Sequence, residues 1–188
     1  MINPSKITNY NRTEEELEEF LLFCIMVAGK SALQTAKKLD VFLKFAGNAK
    51  SPLDTIIDRD KRSCLVYVMS MCKLGQYDRL EKAFKGIIQF KNRLKSVTIE
   101  ELESVHGISS KTSRFFLLHS RPNQRIVVLD THLLAHMRED LGIIAPKATP
   151  DRKKYLELEQ KLLGVIDESG KTFAEYDLDV WKKRSNND

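Results

Sequence analysis

The chain is organised around the stretch Thr98–Gly142, which reads TIEELESVHGISSKTSRFFLLHSRPNQRIVVLDTHLLAHMREDLG. Thr98 and Glu101 have the spacing of a capping box, which predicts the start of a helix. Residues 106–110, HGISS, predict a tight turn, and the helical spacing of apolar residues resumes over 111–118. This half of the stretch therefore predicts a helix, a hairpin turn and a second helix.

The second half of the stretch predicts one more helix start. The apolar run at 127–129 is strand-like and should be buried. Asp130 follows it at the position of an N-cap, ahead of a helix predicted over 131–141. Gly142 predicts the end of that helix.

Two helix starts thus carry side chains of opposite charge. Lys111 lies in the first turn after the hairpin, and Asp130 caps the later helix. The helix dipole disfavours a positive charge at an N-terminus and favours a negative one, so we expect a neutral Lys111 and an ionised Asp130. A neutral amine beside a carboxylate suits nucleophilic attack at a sugar anomeric carbon that develops positive charge.

These residues resemble the helix-hairpin-helix DNA glycosylase superfamily, which includes endonuclease III and the 8-oxoguanine DNA glycosylases. The similarity lies in the hairpin VHGISSKT at 105–112 and in VLDTH at 128–132. The first predicted helix, FLLFCIMVAGKSA, is also similar to that of the archaeal-type 8-oxoguanine glycosylases. The resemblance implies that Lys111 is the nucleophile and Asp130 the catalytic carboxylate. Ser109 departs from the pattern, because a second glycine is usual there, and a serine would be strained if its φ were positive.

The resemblance also implies roles for residues around this pair. The hairpin should hold a DNA phosphate as helix N-termini hold anions, and a wedge should fill the gap left by a flipped base. The residues predicted to bind the DNA backbone are Gly107, Ser109, Ser110 and Thr112. The residues predicted to open the lesion are Lys30, Ser31, Gln76 and Tyr77. The residues predicted to line the base pocket are Phe173, Asp177 and Trp181.

Composition is compatible with a polyanionic partner. The 188 residues have a formal net charge of +5 and a pI near 9.0, a mild excess of basic residues. The three cysteines, Cys24, Cys64 and Cys72, lie apart within apolar stretches, so we expect reduced core thiols and an intracellular protein of the cytoplasm or nucleoid. Unlike endonuclease III relatives, the chain has no Cys-rich C-terminal tail for an iron–sulfur cluster. The longest apolar run, 20–28, is too short to span a bilayer.

Metal binding is not expected. His132 and His136 are four residues apart, but no third ligand is spaced to join them. His106 and His119 are predicted to lie at the surface or on the phosphate side. We expect neither a metal nor an organic cofactor, and a monomer that acts on double-stranded DNA containing a damaged base.

The remaining sequence predicts further helices and almost no strand. Thr13 and Glu16 form another capping box, and Ser31 opens a helix with Leu33 facing inward and Gly47 as its stop. Helices are also predicted over 60–74, over 78–90, from Thr149-Pro150 onward, and from Thr172 to near residue 181. The fold class predicted is all-α. By analogy with the family, it has two helical subdomains with a cleft between them, one of residues 31–129 with the helix-hairpin-helix motif and one of residues 1–30 plus 130–188.

Three functions follow from these observations. The first is a bifunctional DNA glycosylase and AP lyase, which flips a damaged, oxidised base and excises it through a lysine Schiff base. The second is a non-catalytic helix-hairpin-helix module that grips the DNA backbone. The third is an enzyme of the same fold that modifies a flipped base in phage-type DNA.

Overall fold

The computed structural model describes residues 1–45 and 50–185, and within these ranges it is helical without strands. A short 3₁₀ turn at Pro4–Lys6 precedes the first α-helix, and another follows the fifth at Ile88–Phe90. The α-helices are α1 Glu14–Met26, α2 Ala32–Lys44, α3 Pro52–Lys61, α4 Leu65–Met71, α5 Tyr77–Ile87, α6 Ile99–Glu103, α7 Ser110–Ser120, α8 Thr131–Glu139, α9 Arg152–Glu168 and α10 Phe173–Ser185. The predicted all-α fold class is confirmed.

The helix starts of the central stretch are confirmed. Thr98 caps α6 through a complete capping box with Glu101, and Asp130 caps α8. The run at 127–129 is buried as predicted, yet it is an extended segment and not part of a sheet. Without a neighbouring strand in the described chain, its backbone groups must find other hydrogen-bond partners.

Helix α1 lies at the centre of the larger hydrophobic core. Its capping box at Thr13 is confirmed, and nearly every side chain after Leu17 is buried. It packs against α2, α3, α5 and α7, in one cluster that extends from Ile2 to Leu117. The all-round apolar surface of α1 needs partners on every side, and the hairpin half of the chain supplies them.

A second core joins the last three helices. Apolar residues of α8, α9 and α10 pack with the extended segment, from Val127 to Val180, and Tyr155 is the largest side chain among them. A small bridging cluster of Leu118, Val128 and Ala174 lies between the two cores. The helix that carries Lys111 therefore belongs to the first core, and the helix that Asp130 caps belongs to the second.

Several element boundaries differ from the predictions. The single helix predicted over 60–74 is wrong, because Ser63 adopts a positive φ of 54° and separates the end of α3, residues 60–61, from α4, which begins at Leu65. Leu33, predicted to face inward, is 58% exposed. Helix α9 begins at Arg152 with Asp151 as its cap, after the predicted start at Thr149, and α10 continues to Ser185. The predicted stop at Gly47 lies outside the described residues.

None of the helices that the structure describes is long and apolar enough to cross a membrane.

Candidate active site

Helix α7 begins at an exposed cap that brings Lys111 into its first turn. Ser109 has an extended φ of −91°, and its hydroxyl accepts a hydrogen bond from the Thr112 N–H at 3.3 Å. The positive φ belongs to Gly107, at 86°. The serine at 109 is therefore unstrained, and its hydroxyl makes a cap hydrogen bond that a second glycine could not make.

The Lys111 side chain is half-buried and has no hydrogen-bond or ion-pair partner in the described parts of the chain. Its positive charge is close enough to lower the pKa of two acidic groups, Asp130 and the buried thiol of Cys24. Burial is the dominant influence on Cys24 and raises its pKa. Lys111 thus faces the junction of α1 and α8 with its amine uncommitted.

Asp130 caps α8 as predicted, and its Oδ1 accepts the Leu133 N–H at 2.8 Å. Burial nevertheless raises the pKa of this carboxyl above its ordinary value of 3.8, and the negative charge of Asp177 adds to the rise. The Leu133 hydrogen bond and the positive charges of Lys111 and His132 lower it, but they do not outweigh burial. The cap hydrogen bond lowers the pKa as the helix start predicts, but burial raises it by more, because a charge loses more on leaving water than one cap hydrogen bond returns.

Asp177, a residue of α10, is the second carboxylate close enough to influence Asp130. Its Oδ2 lies 3.1 Å from Nε2 of His119, and Nδ1 of His119 lies 2.8 Å from the Thr8 hydroxyl. His119 is fully buried, so the prediction that it lies at the surface is wrong. The signal in the sequence was its position four residues after Phe115 on α7, where its ring packs edge-on at 4.7 Å.

The hairpin presents open backbone amides. Among the described contacts, the N–H groups of Gly107, Ser109 and Ser110 have no protein acceptor, and Ser109 itself is exposed. Thr112 does not share this position: it is 3% exposed, and its amide and hydroxyl both face Ser109 Oγ. Three of the four predicted backbone-binding residues are therefore presented for contact.

The two loops predicted to open the lesion lie together. Lys30 Nζ donates to the Leu74 carbonyl at 2.7 Å, and burial lowers the pKa of this amine. Gln76 is exposed with a positive φ of 51°, and Ser31 is exposed at the start of α2. Tyr77 is half-buried against the larger core.

Arg79, which the sequence did not single out, connects Gln76 to the hairpin. Its guanidinium donates to Gln76 Oε1 at 2.7 and 3.0 Å, to the Gly107 carbonyl at 2.9 Å, and to the Ile25 carbonyl at the end of α1, also at 2.9 Å. The side chain is partly buried, and burial lowers its pKa. One arginine therefore ties the hairpin, the predicted wedge loop and α1 to each other.

The predicted base-pocket residues do not line one open pocket. Phe173 and Asp177 enclose, with apolar neighbours, a gap that admits no water, and Trp181 is 38% exposed elsewhere on α10. A larger open cavity of about 500 Å³ follows α8 from Thr131 and His132 to the basic end of α10. Its basic residues, Lys183 and Arg184, pair with Asp140 in its wall.

In residues 1–45 and 50–185, no three His, Cys, Asp or Glu side chains are grouped as metal ligands would be. His136 is hydrogen-bonded to Asp140 and to the Tyr176 hydroxyl, at 2.6 and 2.8 Å. Both of its ring nitrogens are thus engaged by protein groups.

Comparison with known proteins gives consistent results. Residues 3–171 match the sequence model of the family described as 8-oxoguanine DNA glycosylase. A curated relative, the 8-oxoguanine DNA glycosylase/AP lyase of Methanocaldococcus jannaschii, is 25% identical over 182 residues, which cover 93% of this chain and 83% of that protein.

Solved structures show the same fold. The M. jannaschii 8-oxoguanine glycosylase/lyase in complex with a 15mer DNA containing 8-oxoguanine superposes with a TM-score of 0.72 at 22% identity, covering 97% of this chain and 87% of that one. The 8-oxoguanine DNA glycosylase of Thermotoga maritima gives a TM-score of 0.65 at 21% identity, covering 90% and 79%.

Proposed function

Because this chain belongs to the 8-oxoguanine DNA glycosylase family, we propose that it excises an oxidised purine of the 8-oxoguanine type from duplex DNA and then cleaves the strand as an AP lyase. The observation that carries this proposal is the pairing of an uncommitted amine, Lys111, with a desolvated carboxylate, Asp130, at two helix starts within electrostatic reach of each other.

The chemistry follows from the two groups. Asp130 accepts a proton from Lys111, and a carboxylate whose pKa is raised by burial is the better proton acceptor. The freed nitrogen forms a bond to C1′ while the bond from C1′ to the base breaks, and the base leaves with that electron pair. The negative charge of Asp130 also stabilises the positive charge that develops on the sugar.

The lyase step uses the same nitrogen. Opening of the sugar ring gives a Schiff base between Lys111 and C1′, which makes a C2′ proton acidic. Loss of that proton expels the 3′ phosphate by β-elimination, and water then releases the enzyme. The step needs no electron donor or acceptor beyond the substrate.

DNA would be gripped on the hairpin side. The open amides of Gly107, Ser109 and Ser110 suit a phosphate oxygen, as helix N-termini suit anions generally. Lys30 and Gln76 lie on the two loops that meet nearby, where a wedge could fill the space of a flipped nucleotide. The division into two subdomains, the monomeric state, the intracellular location and the base-pocket role of Phe173, Asp177 and Trp181 stay predictions.

Borohydride trapping tests the proposal. Wild-type protein is incubated with duplexes that contain 8-oxoguanine, an oxidised pyrimidine, an abasic site or no lesion, and covalent adducts are separated by gel. We expect an adduct with the 8-oxoguanine and abasic duplexes, none with Lys111→Gln, and wild-type yield with Lys161→Gln, which changes an exposed lysine of α9.

Mass spectrometry of the products separates the rivals. Free 8-oxoguanine and a cleaved strand support the proposal. An unchanged strand with bound protein would point to a DNA-gripping module, and an altered base that stays attached would point to a base-modifying enzyme; either result contradicts the proposal.

A further inference from the structure

The extended segment that leads into Asp130 is held by side chains and not by a sheet. Tyr155 of α9 donates its hydroxyl hydrogen to the Val127 carbonyl at 2.8 Å, and the same oxygen accepts the Leu129 N–H at 2.9 Å. Tyr155 has no exposed surface. One phenol oxygen therefore takes the place of a neighbouring strand for two of the three residues before the carboxylate.

Glu159, one helical turn further along α9, holds the same segment. Its Oε1 accepts the Val127 N–H at 3.0 Å, and the Thr149 hydroxyl donates to the Leu129 carbonyl at 3.2 Å. The polar backbone atoms of Val127 and Leu129 are thus all engaged by protein side chains. A segment satisfied in this way has one favoured position.

Glu159 is also bound by the helix that carries Lys111. Arg114 lies three residues after Lys111, and its guanidinium donates to both oxygens of Glu159, at 2.9 and 3.0 Å. Arg114 and Glu159 are 4% and 6% exposed. Arg114 also donates to Glu103 of α6 at 2.7 Å, so its position is set from two sides.

These contacts form a continuous connection between the two predicted catalytic groups. It runs from α7 through Arg114 and Glu159 to Val127, and Tyr155 then fixes Leu129 next to Asp130. A buried ion pair is a weak net source of stability, because desolvation offsets its attraction, but its fixed bidentate geometry is well suited to holding two elements at one distance.

We propose that Tyr155 and Glu159 are positioning residues, which set the separation of the Lys111 amine and the Asp130 carboxylate through the segment 127–129. This inference rests on the proposed function of that pair. Both residues are buried, so neither is placed to touch DNA. Their effect on the reaction comes from geometry, since a displacement of about 1 Å in a reacting group can cost about a hundredfold in rate.

The test compares Tyr155→Phe, which removes one oxygen, with Leu162→Ala, which opens a cavity in the same helix and the same core without removing a hydrogen bond to the segment. Single-turnover adduct formation on an 8-oxoguanine duplex, DNA affinity by fluorescence anisotropy and thermal stability are measured for each. For Tyr155→Phe we expect a rate about tenfold to hundredfold lower with DNA affinity within about twofold of wild type. For Leu162→Ala we expect a stability loss at least as large as that of Tyr155→Phe, with a rate within about threefold of wild type.

A Tyr155→Phe rate within twofold of wild type, or an equal loss of rate in Leu162→Ala, overturns the positioning role. If Tyr155→Phe does not fold, the exposed Thr149 offers a second variant, because Thr149→Val removes the hydrogen bond to the Leu129 carbonyl. We expect its rate to fall about threefold with unchanged DNA affinity. An unchanged rate overturns the inference. If wild-type protein forms no adduct, the proposed function itself is wrong. If wild-type protein is active and Tyr155→Phe is equally active, only the positioning role is wrong.

Discussion

The starts of α7 and α8 are chemically alike and differ in their surroundings. Each begins with an extended cap residue whose side-chain oxygen accepts a hydrogen bond from the backbone N–H three residues later. Ser109 accepts from Thr112, and Asp130 accepts from Leu133. Ser109 is exposed on the hairpin, whereas Asp130 is half-buried and close enough to the charges of Lys111 and Asp177 for both to shift its pKa. The same local motif therefore offers open amides to a partner at one helix and a desolvated carboxylate at the other.

The difference shows that a cap hydrogen bond determines where a helix begins but not the charge state of the capping residue. At Asp130 the hydrogen bond lowers the pKa, and burial raises it by more. The changes below alter Asp130, the hairpin before α7 or the cap residue Ser109, with Gly164→Ala as a control, and they test the contrast between the two helix starts.

Asp130→Asn should have the largest effect on catalysis. The amide keeps the cap but cannot take a proton or carry charge, so we expect single-turnover adduct formation to fall about 10²–10⁴-fold. In wild-type protein the rate should drop as pH falls through the raised pKa of Asp130, above 3.8, because the protonated carboxyl is no longer a base. The variant should lack this acid limb when its rate is measured over pH, and a variant that keeps the limb would show that another group produces it.

Gly107→Ala tests the hairpin before α7. The residue has a φ of 86°, and an added Cβ would lie 3.0 Å from Arg79 Cγ and 3.2 Å from the Arg79 carbonyl oxygen. We expect a stability loss of about 1–3 kcal/mol and weaker DNA binding, since both the backbone and its arginine anchor must move. Urea unfolding and fluorescence anisotropy measure the two effects.

Gly164→Ala is the matched control for that change, because its Cβ would meet no atom within 4 Å in α9. It should be about 0.5–1 kcal/mol more stable than wild type and bind DNA normally. Equal DNA binding by Gly107→Ala and Gly164→Ala would contradict the role of the hairpin.

Asp130→Asn should also change stability, in the direction opposite to its effect on activity. A carboxyl whose pKa is raised on folding binds protons more tightly in the folded state, so its ionisation reduces stability as pH rises from the unfolded value of 3.8 through the folded pKa. Above that window the penalty is fully present, and we expect the variant to be more stable than wild type near pH 7. Urea unfolding should show the advantage shrinking in acid; an advantage independent of pH would argue against desolvation as its cause.

Among the changes at the two helix starts, Ser109→Ala should have the smallest effect on function. It removes one cap hydrogen bond at an exposed position, and we expect a loss of about 1 kcal/mol in urea unfolding. Ser109→Gly should lose less stability, about 0.3 kcal/mol, because glycine is itself a favourable N-cap residue. DNA affinity should stay within about twofold of wild type for both, because the predicted contact uses the backbone amide; a large loss in Ser109→Ala alone would assign the contact to the hydroxyl.

The local features were predictable because their causes lie within a few residues. The capping boxes at Thr13 and Thr98, the N-cap at Asp130 and the helix after the hairpin are all confirmed. The break at Ser63 was not predicted, since a positive φ at serine has no sequence signature.

Features that depend on distant contacts were not predictable in the same way. His119 is buried because Thr8 and Asp177 meet it from 111 and 58 residues away. The assignment of α1 to the hairpin core also depended on which neighbours cover its apolar surface. The anchoring roles of Arg79 and Tyr155 arise from single side chains that reach across the fold.

From sequence alone, the chain determines an all-helical fold, the two capped helix starts and the pair of residue types, amine and carboxylate, that they carry, because hydrogen-bonding propensity and apolar spacing act within one or two helical turns. Only the tertiary structure decides that Asp130 is desolvated, that Lys111 has no partner within residues 1–45 and 50–185, and that α9 holds the segment before Asp130. The physical reason is that burial and charge proximity depend on which distant elements pack together, and these two quantities control the pKa and position of a reacting group more strongly than its local helix does.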